Sequence, residues 1–450
     1  MSSAFQTTQY SIKGLILILP NGERIDISEI FDELNLFDSI LAPCVSGNIL
    51  LNDANNIAEK LKFDGYDLTK LYLLIDKGLD LDGEPLIYEK EYVIYKMSQK
   101  ENFNFTSQRY VLHFVAEEYT LSLQKKINQH FNAPYHEVVK IILQDYLKIP
   151  PGKPKNGKAG IGIIEETVSG FLFDMPTLTP FESLNWITKR ALSIKTNNPD
   201  FLCYETQRDG YQFRSLKSLM DQEPVFRINF NPKNIFINDF NSEFLGARDL
   251  KILSQYDVAK NVQDGSYRGK KLLFDPLTRT FQYLQEENIY DTSIKDGTKA
   301  NLPDDYNKER KLYKEMEDSR IVAYPYQMPR RDPQNGTGAN YFLDNVFGRI
   351  PEAPFFPKTA DIMEQYIYRR KPIFTNLMQR RLQLVMPGNF GLYSGMINEV
   401  FVPKYSIKQE DNKTYDDTLS GNYIVIAARH ILRYDKHETI IQVANDKLEF

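Results

Sequence analysis

The sequence predicts a β-rich α+β fold with a mixed α/β middle part and an irregular insertion. Three observations predict it. Aromatic residues make up 13% of the chain, carried by 28 Tyr and 28 Phe against a single Trp, and Tyr and Phe suit the half-buried face of a sheet. Apolar residues alternate with period two towards both ends of the chain. Between those stretches, helical spacing and a capping signal interrupt the alternation. At roughly 150 residues per domain, 450 residues suggest a chain of about three domains. With 42% hydrophobic and 26% charged residues, it can bury a core and keep a solvated surface.

Residues 1–120 read as strands and turns. Ile16, Ile18 and Pro20 lead into Asn21-Gly22, a hairpin-turn dipeptide, and Ile25, Ile27 and Ile30 follow. Ser46-Gly47-Asn48 opens Ile49-Leu50-Leu51, and Leu71 to Ile75 runs into Asp76-Lys77-Gly78. Tyr92 to Met97 and Arg109 to Ala116 form two more runs; in the second, Tyr110, Leu112, Phe114 and Ala116 share one face.

Residues 121–222 change character. Thr120 to Phe131 and His136 to Leu147 read as helices, with Val139, Leu143 and Tyr146 at helical spacing in the latter. Ile149 to Gly162 is a Pro/Gly/Lys loop. Thr179-Pro180-Phe181-Glu182 is a capping box with proline at the first helical position, opening a helix through Leu184, Ile187, Ala191 and Leu192. Phe201 to Tyr204 and Tyr211 to Arg214 read as a hairpin across Arg208-Asp209-Gly210.

Strand patterns return over 223–262, in Val225 to Phe230, Ile235 to Ile237 and Leu250 to Val258. Residues 263–374 are polar, dotted with proline and weakly periodic, with a charge-dense segment from Lys308 to Arg320; they read as a peripheral insertion. In 375–450, Leu382, Leu384 and Met386 alternate before Pro387-Gly388-Asn389, and Tyr423 to His430 and Thr439 to Ala444 complete the β pattern. Ser420-Gly421-Asn422-Tyr423-Ile424 echoes Ser46-Gly47-Asn48-Ile49 near the start of the chain.

The motifs that carry chemistry fail on inspection. Gly152 to Ala159 nearly spells a phosphate-binding loop, but Ala159 stands where a magnesium-holding hydroxyl is needed and Pro154 removes an amide. His136-Glu137-Val138-Val139-Lys140 begins like a zinc-protease helix and lacks the second His; Glu137 reads instead as a first-turn acid favoured by the helix dipole. The histidines 113, 130, 136, 430 and 437 have no metal-ligand spacing. Leu79-Asp80-Leu81-Asp82-Gly83 resembles a calcium loop whose first ligand position is Gly78. No Gly-x-Ser-x-Gly elbow occurs. The pairs Glu165-Glu166 and Asp304-Asp305 read as solvated, as do Arg109 and the 308–320 cluster. The expectation is therefore no enzyme, with no catalytic, cofactor-binding or metal-binding residue.

A net charge of −5 argues against a surface that grips nucleic acid, though not against a channel wall past which DNA slides. Cys44 and Cys203 sit in apolar surroundings and read as buried free thiols. Met1 to Tyr10 lacks the order of a signal peptide, and Gly14 to Pro20 is too short to span a bilayer, so the expected site of assembly is a cytoplasm with no stable membrane insertion. Asn335-Gly336-Thr337 fits a glycosylation pattern without a secretory context.

Four stretches together resemble the baseplate hub proteins of contractile-tailed bacteriophages, a family related to the N-terminal hub part of type VI secretion spike proteins. They are Phe37 to Ile49; Thr179 to Trp186 with Phe201 to Thr206 and Asp209 to Leu216; Asp275 to Arg279; and Leu384 to Gly395 with Leu419 to Val425, His430 and Val443 to Asp446. The resemblance rests on their order along the chain.

The resemblance implies two tail-tube-like β-barrels, one from residues 1–120 and one from 223–262 with 375–450. The 121–222 domain and the 263–374 insertion would lie outside them. It further implies a homotrimer that presents six similar barrels, joining a hexameric tail tube to a trimeric central spike in the virion baseplate. Further implied partners are inner baseplate wedge proteins, the tape-measure protein, and DNA in transit. The chain stops at Phe450 just after the last β run, so the spike is expected to be a separate protein. The competing expectations are another tube-like adaptor or distal tail protein, and a tail-borne wall hydrolase.

Overall fold

The computed structural model describes residues 10–61, 68–79, 85–104, 107–155, 157–168, 172–196, 198–206, 208–230, 244–255, 257–266, 268–275, 280–287, 320–325, 359–404, 415–416, 419–434 and 436–445. The sequence expectations at Asp80 to Gly83, Ile235 to Ile237, Pro276 to Arg279, Asp304-Asp305, Lys308 to Ser319, Asn335 to Thr337 and Asp446 fall outside the described residues.

Alternation builds the first unit. Strands β1 (Ser11–Ile18), β2 (Arg24–Asp26), β3 (Phe31–Ser39), β4 (Ser46–Asp53), β5 (Lys70–Leu79), β6 (Pro85–Asn104) and β7 (Ser107–Ala116) pair in the order β3-β4-β7-β6-β5-β1-β2. A short helix, α1 (Ile57–Lys60), follows β4. Each strand turns one face inward, so Leu15, Leu36, Ile49, Leu73, Tyr110 and Phe114 meet in one apolar core. At Gly47 a β-carbon would lie 2.3 Å from the Asn35 carbonyl oxygen and 2.4 Å from Phe114 Cζ, so only glycine lets β4 sit this close. The two end strands are carried by one stretch of chain: Ile27 N–H donates to the Leu15 carbonyl, and Asn52 N–H donates to the Ile30 carbonyl.

A second unit repeats this device. Strands β13 (Phe226–Phe230), β14 (Phe244–Ala247), β15 (Asp249–Ser254), β19 (Arg380–Pro387), β20 (Ile397–Phe401), β21 (Gly421–Arg433) and β22 (Lys436–Asn445) follow the path β14-β13-β20-β21-β22-β19-β15. β13 is parallel to β14 and β20, and the other pairs are antiparallel. Again the end strands are consecutive: only Arg248 separates β14 from β15, and its N–H donates to the Val385 carbonyl. The inward face gathers Ile228, Leu382, Leu384, Val400, Val425 and Val443.

The two units share β21. Its residues Ile424 to Gly421 pair with β20, and further along Ala427 to Arg433 pair with Ser39 to Glu33 of β3. The result is a single fourteen-stranded sheet. Among the described residues no sheet closes on itself as a barrel.

Residues 117–220 form the mixed middle unit: α2 (Glu117–Leu123), β8 (His130–Asn132), α3 (Tyr135–Ile141), β9 (Ile161–Ile164), β10 (Leu172–Asp174), α4 (Pro180–Thr188), β11 (Phe201–Thr206), β12 (Gly210–Ser215) and α5 (Leu216–Met220). The expected capping box is formed: Thr179 Oγ1 accepts from Glu182 N–H at 3.3 Å, and Glu182 Oε2 accepts from Thr179 N–H at 2.8 Å. The hairpin of β11 and β12 also forms, from Phe201↔Ser215 to Thr206↔Gly210. The helix expected over Thr120 to Phe131 stops at Leu123. Beyond it the chain pairs with a distant segment, Ile127 N–H donating to the Leu178 carbonyl and β8 pairing with β10, so tertiary pairing overrides local helical spacing.

The described residues of 263–374 are more regular than their sequence suggests. Helix α6 (Val258–Asp264) precedes a three-stranded sheet of β16 (Arg268–Asp275), β17 (Thr280–Glu287) and β18 (Arg320–Pro325), and α7 (Thr359–Leu377) leads back to β19. Leu250 to Val258, expected as one strand, ends at Ser254, and Asp257 caps α6 through its side chain at Lys260 N–H. Among the described residues no helix is long and apolar enough to cross a membrane.

Candidate functional site

The distinctive chemistry of the described chain lies where its three units meet. Lys90 on β6 donates to Glu205 Oε1 on β11, and Glu205 Oε2 accepts from Val45 N–H at 3.0 Å. The Lys90 and Glu205 side chains are 7% and 2% exposed. Burial opposes the charged amine, but the carboxylates of Glu205 and Glu118 outweigh it and hold the Lys90 pKa above its ordinary value. Burial pushes Glu118 upward, against the pull of Lys90. Tyr88 and Tyr92, flanking Lys90 on the same strand face, bond through their hydroxyls. Cys44 lies in this setting with its pKa raised by burial and by Glu205.

A loop of the second unit, residues 388–396, touches all three units. At one end Gly388 N–H donates to the His437 carbonyl at 2.8 Å, and Asn389 N–H donates to Thr439 Oγ1 at 2.9 Å. Phe390 then enters the core of the first unit and stacks on Tyr88, with ring centroids 5.7 Å apart. At the other end Ser394 N–H donates to Asp38 Oδ1 at 3.0 Å, and the Gly395 carbonyl accepts from Gln222 Nε2 at 3.0 Å. Burial lifts the Asp38 carboxyl to about 7, offset in part by the Ser394 bond and reinforced by Glu205. Tyr204 of β11 closes the third side: a β-carbon at Gly395 would lie 2.4 Å from its hydroxyl.

Helix α7 fastens the peripheral region to the middle unit. Arg370 Nη1 donates to the carbonyls of Thr188 (2.8 Å) and Pro199 (2.9 Å), and Nη2 donates to that of Phe201 (2.9 Å). Burial lowers the Arg370 pKa to about 10, against the pull of Asp200. Asp264 at the end of α6 accepts from Thr375 Oγ1 at 2.7 Å and pairs with Lys371 at 2.5 Å.

Several residues weighed in the sequence have structural roles. His136 bonds Thr167 through Nδ1 at 3.1 Å, and Glu137 lies in the first turn of α3 as expected. His113 bonds Ser98 at 2.7 Å, and His130 bonds Asp174 at 2.7 Å. Arg109 pairs with Asp32 at 2.7 Å on an exposed sheet face. Cys44 and Cys203 are free, the first buried and the second half-buried. Glu165 is a correction: far from solvated, it is buried and accepts from Ser193 Oγ (2.7 Å), Ser215 N–H (2.8 Å) and Ser215 Oγ (2.9 Å). Among the described residues no group of three or more His, Cys, Asp or Glu could hold a metal ion.

The sequence carried an unused signal for the junction. Lys90, Glu205 and Asp38 each occupy the inward, apolar-face position of a strand: Lys90 between Tyr88 and Tyr92, Asp38 after Leu34 and Leu36, Glu205 after Phe201 and Cys203. A charge in phase with the core residues of a strand marks a buried pair.

No protein-family model matches the sequence, and no curated protein matches it. Among solved structures, the chain is similar to a tail protein from Neisseria meningitidis (10% identity, 97% of each chain covered, TM-score 0.49). It is also similar to the 43 kDa tail protein of a Shewanella oneidensis prophage (8% identity, 96% of this chain and 98% of that one, TM-score 0.48). A third similarity is to a type VI secretion component from Escherichia coli (9% identity, 97% of this chain and 76% of that one, TM-score 0.41).

Proposed function

We propose that this chain is a structural baseplate hub subunit of a contractile phage tail and not an enzyme. Three copies form a pseudo-sixfold ring that joins the hexameric tail tube to a trimeric central spike. The observation that carries this reading is internal duplication. Each chain holds two sheet units, and in each a single continuous stretch of chain, residues 24–39 in one and 244–254 in the other, carries both end strands. We read these as two tube-like barrels whose bent strand spans the seam. The Ser-Gly-Asn echo falls on the openings of β4 and β21, a strand lying between β3 and β7 in the first unit and between β20 and β22 in the second.

Closed cyclic assembly of a chain with two alike units places twice as many alike walls about the axis as there are subunits. That meets the mismatch between a threefold and a sixfold partner. Ring closure also removes strand edges that would otherwise pair out of turn. The four sequence stretches that resemble the hub family support the same reading, and so does the negative net charge of a wall past which DNA would slide. On this reading the partners are the spike, the tube, wedge proteins and the tape-measure protein, and the location is the virion baseplate.

Light scattering on the eluting protein tests the proposal. The expected mass is three times 52.4 kDa, alone or on addition of a trimeric spike protein, with six similar densities in averaged images down the axis. A stable dimer, or a ring of six chains, overturns it; the latter would favour a tube-like adaptor.

A further inference from the structure

We infer that the loop 388–396 is a proton-controlled latch between the two sheet units, released when the buried pair His430–His437 takes up protons. The two imidazoles face each other across the β21–β22 ladder, His430 Nδ1 lying 3.2 Å from His437 Nε2 and 3.2 Å from Thr439 Oγ1. Both side chains are fully buried. Phe390, the residue that the loop pushes into the first unit, packs against both rings, with centroids 4.7 Å from His430 and 4.5 Å from His437. The start of the loop leaves no slack: a β-carbon on Gly388 would lie 2.0 Å from His437 Cγ.

Proton counting makes this contact conditional. With both rings neutral, one nitrogen of the facing pair donates and the other accepts. One added proton still leaves a donor and an acceptor. With both rings charged, two N–H groups point at each other and the hydrogen bond is lost. Thr439 is drawn in as well, because its Oγ1 also accepts from Asn389 N–H. Phe390 packs on both rings, so their separation displaces it and withdraws the loop from the first unit.

Other titratable groups face the pair from the elements packed on it. Tyr88 of β6 lies on the far side of Phe390, and Tyr10 meets His437 edge-on at 6.0 Å. On β3, His430 is opposite Leu36, and Asp38 is the next residue along that inward face. Arg429, Arg433, Lys436 and Glu438 alternate onto the outer face, where Glu438 pairs with Arg433 and Lys436. Asp38 acts in the opposite sense to the histidines. It holds Ser394 at the far end of the same loop, and burial favours its protonated form up to about pH 7. Its proton is therefore lost as pH rises towards 7, which loosens the latch over the range in which histidine deprotonation tightens it, and the two effects separate in Asp38→Asn.

Hydrogen exchange of the full chain, read by mass spectrometry on the peptide spanning 387–397 and corrected for intrinsic exchange, tests this between pH 5 and pH 8. Helix α4 serves as the internal reference. Asp38→Asn, which removes the opposing carboxyl, should lose roughly tenfold protection from pH 7 to pH 5, the slope of at least one proton taken up on opening, while α4 does not. Adding His437→Gln to Asp38→Asn should flatten this limb. Less than a twofold change in the Asp38→Asn loop over that range overturns the inference, and so does a wild-type loop that gains protection from pH 7 to pH 5 with the full slope of one proton, as the carboxyl alone would give. So does an acid limb that survives when His437→Gln or His430→Asn is added to Asp38→Asn.

Discussion

Lys90 of the first sheet unit and Glu205 of the middle unit form an ion pair sealed from solvent, with Glu118 as a second carboxylate acting on the same ammonium. Removing one partner from a buried pair leaves an uncompensated charge and typically costs about 3–5 kcal/mol. Lys90→Met strands two carboxylates and should destabilise more than Glu205→Gln, which leaves Glu118 to face Lys90. The double variant Lys90→Met/Glu205→Leu should recover most of the loss. Urea unfolding of the four species forms the double-mutant cycle that checks this; additive losses would show that the two groups do not act on each other.

The Asp38 carboxyl gives the fold a pH dependence of known sign. Its folded value of about 7 lies above the ordinary 3.8, so the folded state holds this proton more tightly than the unfolded chain. Stability contributed here is present below the unfolded value and is lost as pH rises to about 7. Asp38→Asn should therefore be more stable than wild type at pH 8 by about 1–3 kcal/mol, within the 1.36 kcal/mol per unit that linkage allows. The difference should shrink towards zero near pH 4. Denaturant midpoints at both pH values measure it.

Gly47 tests how closely β4 must approach its neighbours. Gly47→Ala places a methyl against the Asn35 backbone and the Phe114 ring, and overpacking of this kind costs about 1–3 kcal/mol or more. The β3 backbone cannot yield without moving its pairing with β21, so the upper end is expected. Thermal melting of the variant reads the loss.

Arg380 opens β19 and points inward with Leu382 and Leu384. It is 1% exposed, and its Nε, Nη1 and Nη2 have no hydrogen-bond partner among the described residues. An apolar residue of similar length should serve better, because a desolvated guanidinium without partners is costly. Arg380→Met is expected to raise stability by about 1–4 kcal/mol in urea unfolding; a loss of similar size would show that the cation is compensated.

Arg370 ties α7 to three carbonyls of the middle unit. Arg370→Met should leave the sheets intact while raising exchange in α7 by at least tenfold, since those carbonyls then lose their donors. Hydrogen exchange comparing α7 with β21 decides whether the effect is local.

The strands of the sheets were legible because period two is a local signal: Tyr110, Leu112 and Phe114 fall on one face whatever they pair with. The capping box at Thr179 was legible for the same reason, since donor and acceptor lie within one turn. The helix over Thr120 to Phe131 was misread because Phe131 answers to Phe173 across a sheet pair, a contact no local window contains. The buried role of Glu165 likewise depends on Ser193 and Ser215. The junction was half legible. Lys90, Asp38 and Glu205 stood out of phase in polarity with their strands, but which charge meets which depends on the docking of three units.

Because β21 belongs to both sheet units, a force that pulls the units apart along their strands loads every rung from Ala427↔Ser39 to Arg433↔Glu33 at once. Such a seam resists sliding far better than unzipping from one end. A subunit built this way can transmit a thrust or a twist through its own backbone ladder, without relying on side-chain contacts to carry the load.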